Sequence, residues 1–509
     1  MKKRWMKWLT LVMVLAMVFA LAVPAAAAES AHRDSFIYAT SREPSSLDPA
    51  AFQGCYNGYI IDMCIYDTLV KMDNEGNITP HLATEWEYED DLTLHITIRD
   101  DVVFSNGEKL TAEDVLFSVF RLQDPMGMYG ATFACLDAEN SAAEDDTHLT
   151  FKFLTPFAGF MAYMSYGISG VVSKAYVEEN GAEALAQNPM GSGPFVFDEW
   201  VVGDSFTLSR NENYWGEAPN FDNLTVRFIT DNTTRFMEFE TGSVDAIDNL
   251  SNADIQTMLD GGVEGTLYQQ AGFDQIDLCM TYGYEPFQDV RVRKAFAMAI
   301  NLDAMVANVF GNTAEVALGY ENAGLLGYTE TGTYGYDPEG AKALLEEAGY
   351  GEGLTLDMTV SSSENFVKMA EILQSFLAEI GVTLNVNVAD QSTALFALMG
   401  GESVIGFTET TANVLDPSII FDPLRMAGIH AGARTNSQEL DDLLQAGLEA
   451  MDETERADIY AQANQMIFDL VSVVPIAGVK CSYAAQPYIT NFDDSMTGIT
   501  DFTVITFSE

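Results

Sequence analysis

Histidine is scarce in this chain, with five in 509 residues: His32, His81, His95, His148 and His430. No two lie within a helical turn of each other, and no Cys/His cluster accompanies them, so the sequence carries no zinc motif. Cysteine is equally sparse. Cys55, Cys64, Cys135, Cys279 and Cys481 are an odd set with no Cys-x-x-Cys spacing. That excludes a disulfide-built scaffold and predicts mostly buried thiols with at most one or two bridges. Basic residues are outnumbered 24 to 76 by acids, for a net charge of −52. With no basic surface to neutralise phosphates, nucleic acid is excluded as a partner. Acidity of this order suits a solvated exterior surface, and it also draws cationic ligands into any cleft it lines. After Val23 no apolar run approaches the 18 residues that a membrane helix needs.

The first 28 residues differ from the rest. Lys2, Lys3, Arg4 and Lys7 precede an apolar run from Leu9 to Val23, and Ala25 to Ala28 follow as small residues. The pattern predicts a secretory signal peptide over 1–28, or an N-terminal anchor if it is retained. No cysteine stands near Ala25 to Ser30, so a lipid anchor there is not expected. The expected location is outside the cytoplasm, periplasmic or extracellular. The remaining length is too great for one core, and 48% apolar residues with 31 Phe and 21 Tyr predict large, filled cores in two or three domains.

Local patterns alternate between strand and helix. Leu92, Leu94, Ile96 and Ile98 share one face of a predicted half-buried strand. Thr111 and Asp114 form a capping-box pattern at the head of TAEDVLFSVFRL. Asp337-Pro338 opens another helix, which Gly349 closes. Phe366, Met369, Ile372, Leu373, Phe376, Leu377 and Ile380 form an amphipathic stripe ended by Gly381, and Val382 to Val388 alternates as a strand. Helix-strand units of this size predict an α/β chain with mixed or parallel sheets.

NPMGSGPFVFDEW, Asn188 to Trp200, has the look of a catalytic loop. A serine-nucleophile elbow needs Gly-x-Ser-x-Gly, however, and Met190 and Pro194 occupy both glycine positions around Ser192. A phosphate loop would open a helix, whereas an alternating apolar run follows here. The glycines therefore read as backbone punctuation. Paired carboxylates for glycoside hydrolysis are uninformative among 76 acids. Nothing argues for an enzyme.

Several segments, in order, resemble the bacterial extracellular solute-binding proteins of ABC importers, family 5, the peptide- and nickel-binding class. They are EPSSLDP; YDTLVKMDNEGNITPHLATEWEYEDDLTLHITIRDDVVFSNGEKLTAEDVLFSVFRL (Tyr66 to Leu122); GSGPFVFDEW with NENYWG; DVRVRKAFAMAINLDAMV (Asp289 to Val306) with YDPEGAKALLEEAGY; and ERADIYAQANQMIFDLVSVVPIAG. The resemblance implies a periplasmic-binding-protein-like two-lobe fold with an extra domain. In it, domain I is built from 30–75, 190–283 and 481–509, domain II from 76–189, and domain III from 284–480. It also implies a monomer with no cofactor that captures a small solute between its lobes and delivers it to a membrane permease.

Short peptides are the expected ligand, with a non-peptide solute, a nickel-metallophore complex or a chemosensory role as alternatives. Peptide-binding members hold the ligand's amino terminus with an aspartate, and the matching position here is Asn413, three residues before Asp416. The family's pattern is thus broken at that point, with Asp416 or Glu409 as substitutes. The remaining ligand candidates that the resemblance implies are Gln53, Tyr56, Asn57 and Tyr59 in a domain I loop, Ser192, and His430 and Arg434 in GIHAGARTN. Tyr282 and Tyr284 are candidate hinge or cleft aromatics.

Overall fold

A computed structural model of the chain describes residues 31–508, apart from 42, 52–62, 74–75, 126–128, 413, 422–423, 425–435 and 493–499. Two long strands organise it. Thr266–Met280 and Val473–Ala485 run antiparallel within one continuous sheet, and their two ends pair with different neighbours. At one end Ala485 to Tyr483 also pair with the strand Ala246–Asp248, which leads on through Arg33–Thr40, Phe221–Phe228, Ser205–Arg210 and Phe195–Val201. At the other end Val479 to Ala477 pair with Ala314–Val316, while Ile405–Thr411 lies on the far side of Thr266–Met280. The register between the two long strands slips between Ala271 and Asp274. Gly272 sits in that slip, where a Cβ would lie 2.6 Å from the Val479 carbonyl oxygen, so only glycine lets the backbones approach.

Each unit has its own core. Phe36, Tyr38, Phe195, Phe221, Tyr483 and Ile505 fill the first. Leu94, Ile96, Val115, Phe151, Phe160 and Tyr163 fill the second, under the four-stranded sheet of Ala83–Asp90, Thr93–Ile98, His148–Lys152 and Ala142–Ala143. The third unit packs on both faces of the joined long strands. Ile276, Leu278 and Met280 face Phe296, Met358 and Leu373 on one side, and Phe273 and Cys279 face Tyr320, Phe421 and Tyr460 on the other. The result is an α/β fold of three domains in two lobes.

The local signals act as the sequence indicates. Thr111 caps Ala112–Arg121 in extended geometry, and Asp114 Oδ2 accepts from the Thr111 amide at 2.9 Å. Asp337 Oδ1 accepts from the Gly340 amide at 2.9 Å at the head of Pro338–Glu347, and Gly349 follows with φ of 92°. Leu354–Ser361 and Val382–Ala389 pair in parallel, which requires the crossover helix Glu364–Glu379 between them. The strand around Leu94 departs slightly from expectation. Leu94, Ile96 and Ile98 are buried as predicted, but Leu92 precedes the strand and is exposed, and Thr93 on the opposite face is buried, its hydroxyl accepting from Lys152 Nζ at 2.8 Å. No two of the described cysteines, Cys64, Cys135, Cys279 and Cys481, are joined by a disulfide.

Candidate functional site

The GSGP segment is wedged against the chain around Ile65. A Cβ at Gly191 would fall 2.0 Å from the Ile65 carbonyl oxygen, and one at Gly193 would fall 2.7 Å from it. Gly193 N donates to that same oxygen at 2.8 Å, and Gly191 O accepts from Ser105 N at 2.9 Å. Ser192, fully buried, donates its hydroxyl to Asp67 Oδ2 at 2.8 Å. Asp67 is the centre of this junction. Trp215 Nε1 donates to Oδ2 at 2.9 Å, and His81 Nε2 lies 2.9 Å from Oδ1. Arg99 then covers the Trp215 ring at 4.1 Å. Four motifs far apart in sequence (YDTLV, HLA, GSGP and NYWG) thus meet at one carboxylate.

A second cluster lies where the lobes meet. Asp416 is buried and takes a bidentate pair from Arg456, Nη1 to Oδ2 at 2.6 Å and Nη2 to Oδ1 at 2.7 Å. Burial would raise the Asp416 carboxyl, but Arg456 outweighs it and holds the group below the ordinary range. Asp416 also accepts from the amide of Ser418 at 3.0 Å, starting the short helix Ser418–Phe421. Across the seam, a Cβ at Gly159 would come within 3.0 Å of both Asp416 oxygens. Ala158 N donates to Leu448 O at 2.9 Å, and the Ser418 and Tyr163 hydroxyls are 3.4 Å apart. Val414 and Leu448 join the core of the opposite unit.

Beside this seam the face of Thr266–Met280 that carries Gln275, Asp277 and Cys279 is buried yet polar. Gln275 Nε2 donates to Asp277 Oδ1 at 3.0 Å and to the Tyr320 carbonyl at 2.6 Å. Thr410 Oγ1 donates to Asp277 Oδ2 at 3.2 Å, and Thr408 stands 3.2 Å from Cys279 Sγ. Burial pushes the Asp277 carboxyl up to about 7 against the pull of the Gln275 and Thr410 hydrogen bonds. Burial likewise pushes the Cys279 thiol up to about 12. Next to Tyr320, Glu321 is 1% exposed, and neither of its oxygens has a hydrogen-bond partner among the described residues.

Of the residues singled out from sequence, Ser192 lies at the Asp67 junction and Asp416 at the seam. Gln53, Tyr56, Asn57, Tyr59, Asn413, His430 and Arg434 lie outside the described residues. Tyr282 is covered by the Arg293 guanidinium at 4.5 Å, and Tyr284 packs on Phe287 at 5.3 Å between ring centres. Sequence reasoning missed Asp67, Asp277, Glu321 and Arg456, since nothing in their spacing separates them from other charged residues. Among the described residues no group of three His, Cys, Asp or Glu side chains is arranged to hold a metal ion. No helix there is long and apolar enough to cross a membrane.

The sequence profile of the bacterial extracellular solute-binding proteins, family 5, matches residues 77–429. The chain belongs to that family. Its members capture solutes for ABC transporters and are not enzymes. It is 27% identical to a heme-binding protein A of Haemophilus influenzae, with 93% of this chain and 92% of that protein covered. It is 26% identical to a nickel-binding periplasmic protein of Escherichia coli, with 84% and 86% covered. In three dimensions it is similar to the periplasmic binding protein DppA from Helicobacter pylori in complex with the peptide STSA. That likeness has a TM-score of 0.85 at 25% identity and covers 94% of this chain and 99% of that one.

Proposed function

We propose that this protein is the extracytoplasmic substrate-binding component of an ABC importer, and that its ligand is a short peptide held between the lobes. The observation that carries this reading is the seam itself. Asp416 with Arg456, Ser418 and Leu448 on one lobe meet Ala158, Gly159 and Tyr163 on the other, beside a strand face that is polar and buried. A solute lodged there touches both lobes at once, so it stabilises the closed arrangement over the open one. The likeness to a binding protein whose structure holds a tetrapeptide supports the peptide class.

In this proposal the segment 1–28 directs export and is removed, and the mature protein is a monomer that hands its ligand to a permease. Domain I comprises 30–75, 190–283 and 481–509, domain II 76–189, and domain III 284–480. Gln53, Tyr56, Asn57, Tyr59, Asn413, His430 and Arg434 supply polar and aromatic contacts to the ligand, while Ser192 and Asp416 brace the walls through Asp67 and Arg456. Native mass spectrometry of the mature chain, followed by denaturation and identification of what is released, tests the reading. A mixture of short peptides is expected. A single non-peptide solute or a nickel complex overturns the peptide assignment and leaves the importer role standing.

A further inference from the structure

Glu321 is a feature of the seam that the contacts above do not explain. It is 1% exposed, and neither carboxyl oxygen has a hydrogen-bond partner among the described residues. The Oδ1 of the adjacent Asn322, a residue 6% exposed, is unpartnered as well. Buried carboxyls are ordinarily paired or fully hydrogen-bonded, because an unpaired charge in a low-dielectric interior is costly. The cation that acts on it among the described residues, Arg456, does not serve. Both terminal nitrogens of Arg456 are engaged by Asp416, and its Nε donates to the Gly447 carbonyl at 2.9 Å. Asp416 in turn adds negative potential at Glu321. Asp277 is linked through Gln275 to the carbonyl of Tyr320, the residue directly before Glu321. Glu321 and Asp416 therefore stand together with no free cation beside them among the described residues, at a seam that opens and closes in the reading above.

We infer that Glu321 is the receptor for a positively charged nitrogen of the bound solute, an ammonium group, with Asp416 adding to the field that favours it. This inference rests on the solute-binding reading and deepens it by naming the ligand's charge. An ammonium donates up to three hydrogen bonds, and the two unpartnered oxygens of Glu321 can accept them. Such a contact also involves a proton. Burial and Asp416, only partly offset by Arg456, push the empty carboxyl up to about 9, so near neutral pH it is protonated. An arriving ammonium favours the carboxylate, and binding releases that proton. The charged and titratable groups facing Glu321 are Asp416 and Arg456 from the elements packed on it and Tyr328 from its own loop.

The test is calorimetric titration of the mature chain and of its E321Q variant with trialanine, N-acetyltrialanine and 1,5-diaminopentane, in buffers of differing ionisation enthalpy. Glutamine keeps the shape and neutrality of the protonated acid, so E321Q should unfold at the wild-type temperature or above it. Trialanine is expected to bind the wild type with proton release. Both N-acetylation and E321Q should weaken binding at least tenfold, and E321Q should abolish the proton release. Binding of the diamine alone would support the role of Glu321 and overturn the peptide reading. Equal binding of trialanine to wild type and E321Q would overturn the role of Glu321 and leave the peptide reading intact. Failure of all three probes to bind the wild type would overturn both.

Discussion

Truncating Arg456 to alanine would leave the Asp416 carboxylate buried at the seam with its counter-charge gone. Breaking a buried pair in this way costs about 3–5 kcal/mol, much more than an exposed ion pair would. R456A should therefore lower the denaturant midpoint of the unit containing the helix Glu453–Leu470, with the slope unchanged. R456K should recover only part of the loss, since a lysine cannot reproduce the two-pronged contact. At the other junction, S192A removes one of two donors to Asp67 Oδ2, Trp215 being the second. A cost of about 1 kcal/mol is expected, as for one hydrogen bond lost where another remains. G191A should be worse than S192A, because its methyl would collide with the Ile65 carbonyl. A G191A protein as stable as wild type would show that the backbone there can move aside. The glycines were legible in the sequence because Gly-Ser-Gly-Pro fits neither a nucleophile elbow nor a phosphate loop. Asp67 and Arg456 were not, because one acid among 76, or one base among 24, is distinguished only by what lies within 3 Å of it.

At the scale of single elements, what the sequence revealed depended on whether a segment's pattern is local. Ala112–Arg121 carries its own cap, Pro338–Glu347 a cap and a glycine stop, and Glu364–Glu379 an apolar stripe ended by Gly381, so they could be read without a fold. Thr266–Met280 could not. Its face of Gln275, Asp277 and Cys279 breaks the apolar alternation that marks a buried strand, and only the neighbours Thr408, Thr410 and Tyr320 satisfy it. Asp277 gives this strand a pH signature. Its folded carboxyl titrates near 7, well above the ordinary 3.8. Between those values the folded state holds a proton that the unfolded chain has lost. Its contribution to stability is thus fully present below about pH 4, declines as pH rises, and is gone above about pH 7. Unfolding free energies measured from pH 4 to 8 should fall more steeply for wild type than for D277N. Parallel curves would mean that Asp277 is ionised throughout.

For the whole molecule, the decisive question is whether closure is coupled to binding, and Gly159 offers a way to perturb closure alone. It belongs to one lobe, its φ of −77° is open to any residue, and the space where a side chain would go is taken by the Asp416 carboxylate of the other lobe. G159V should therefore leave each lobe's core intact and penalise only the state in which the lobes meet. If the collision disfavours closure by about 1.4 kcal/mol, the binding-competent fraction falls tenfold and the apparent Kd rises tenfold. Small-angle scattering would report the same shift as a larger radius of gyration at a given trialanine concentration, with the thermal midpoint of the unliganded protein unchanged. The pairing of those two results matters, because a misfolded variant would lose both affinity and midpoint. Wild-type affinity in G159V would mean that ligand is held without the seam closing, and the capture mechanism would then have to reside within one lobe.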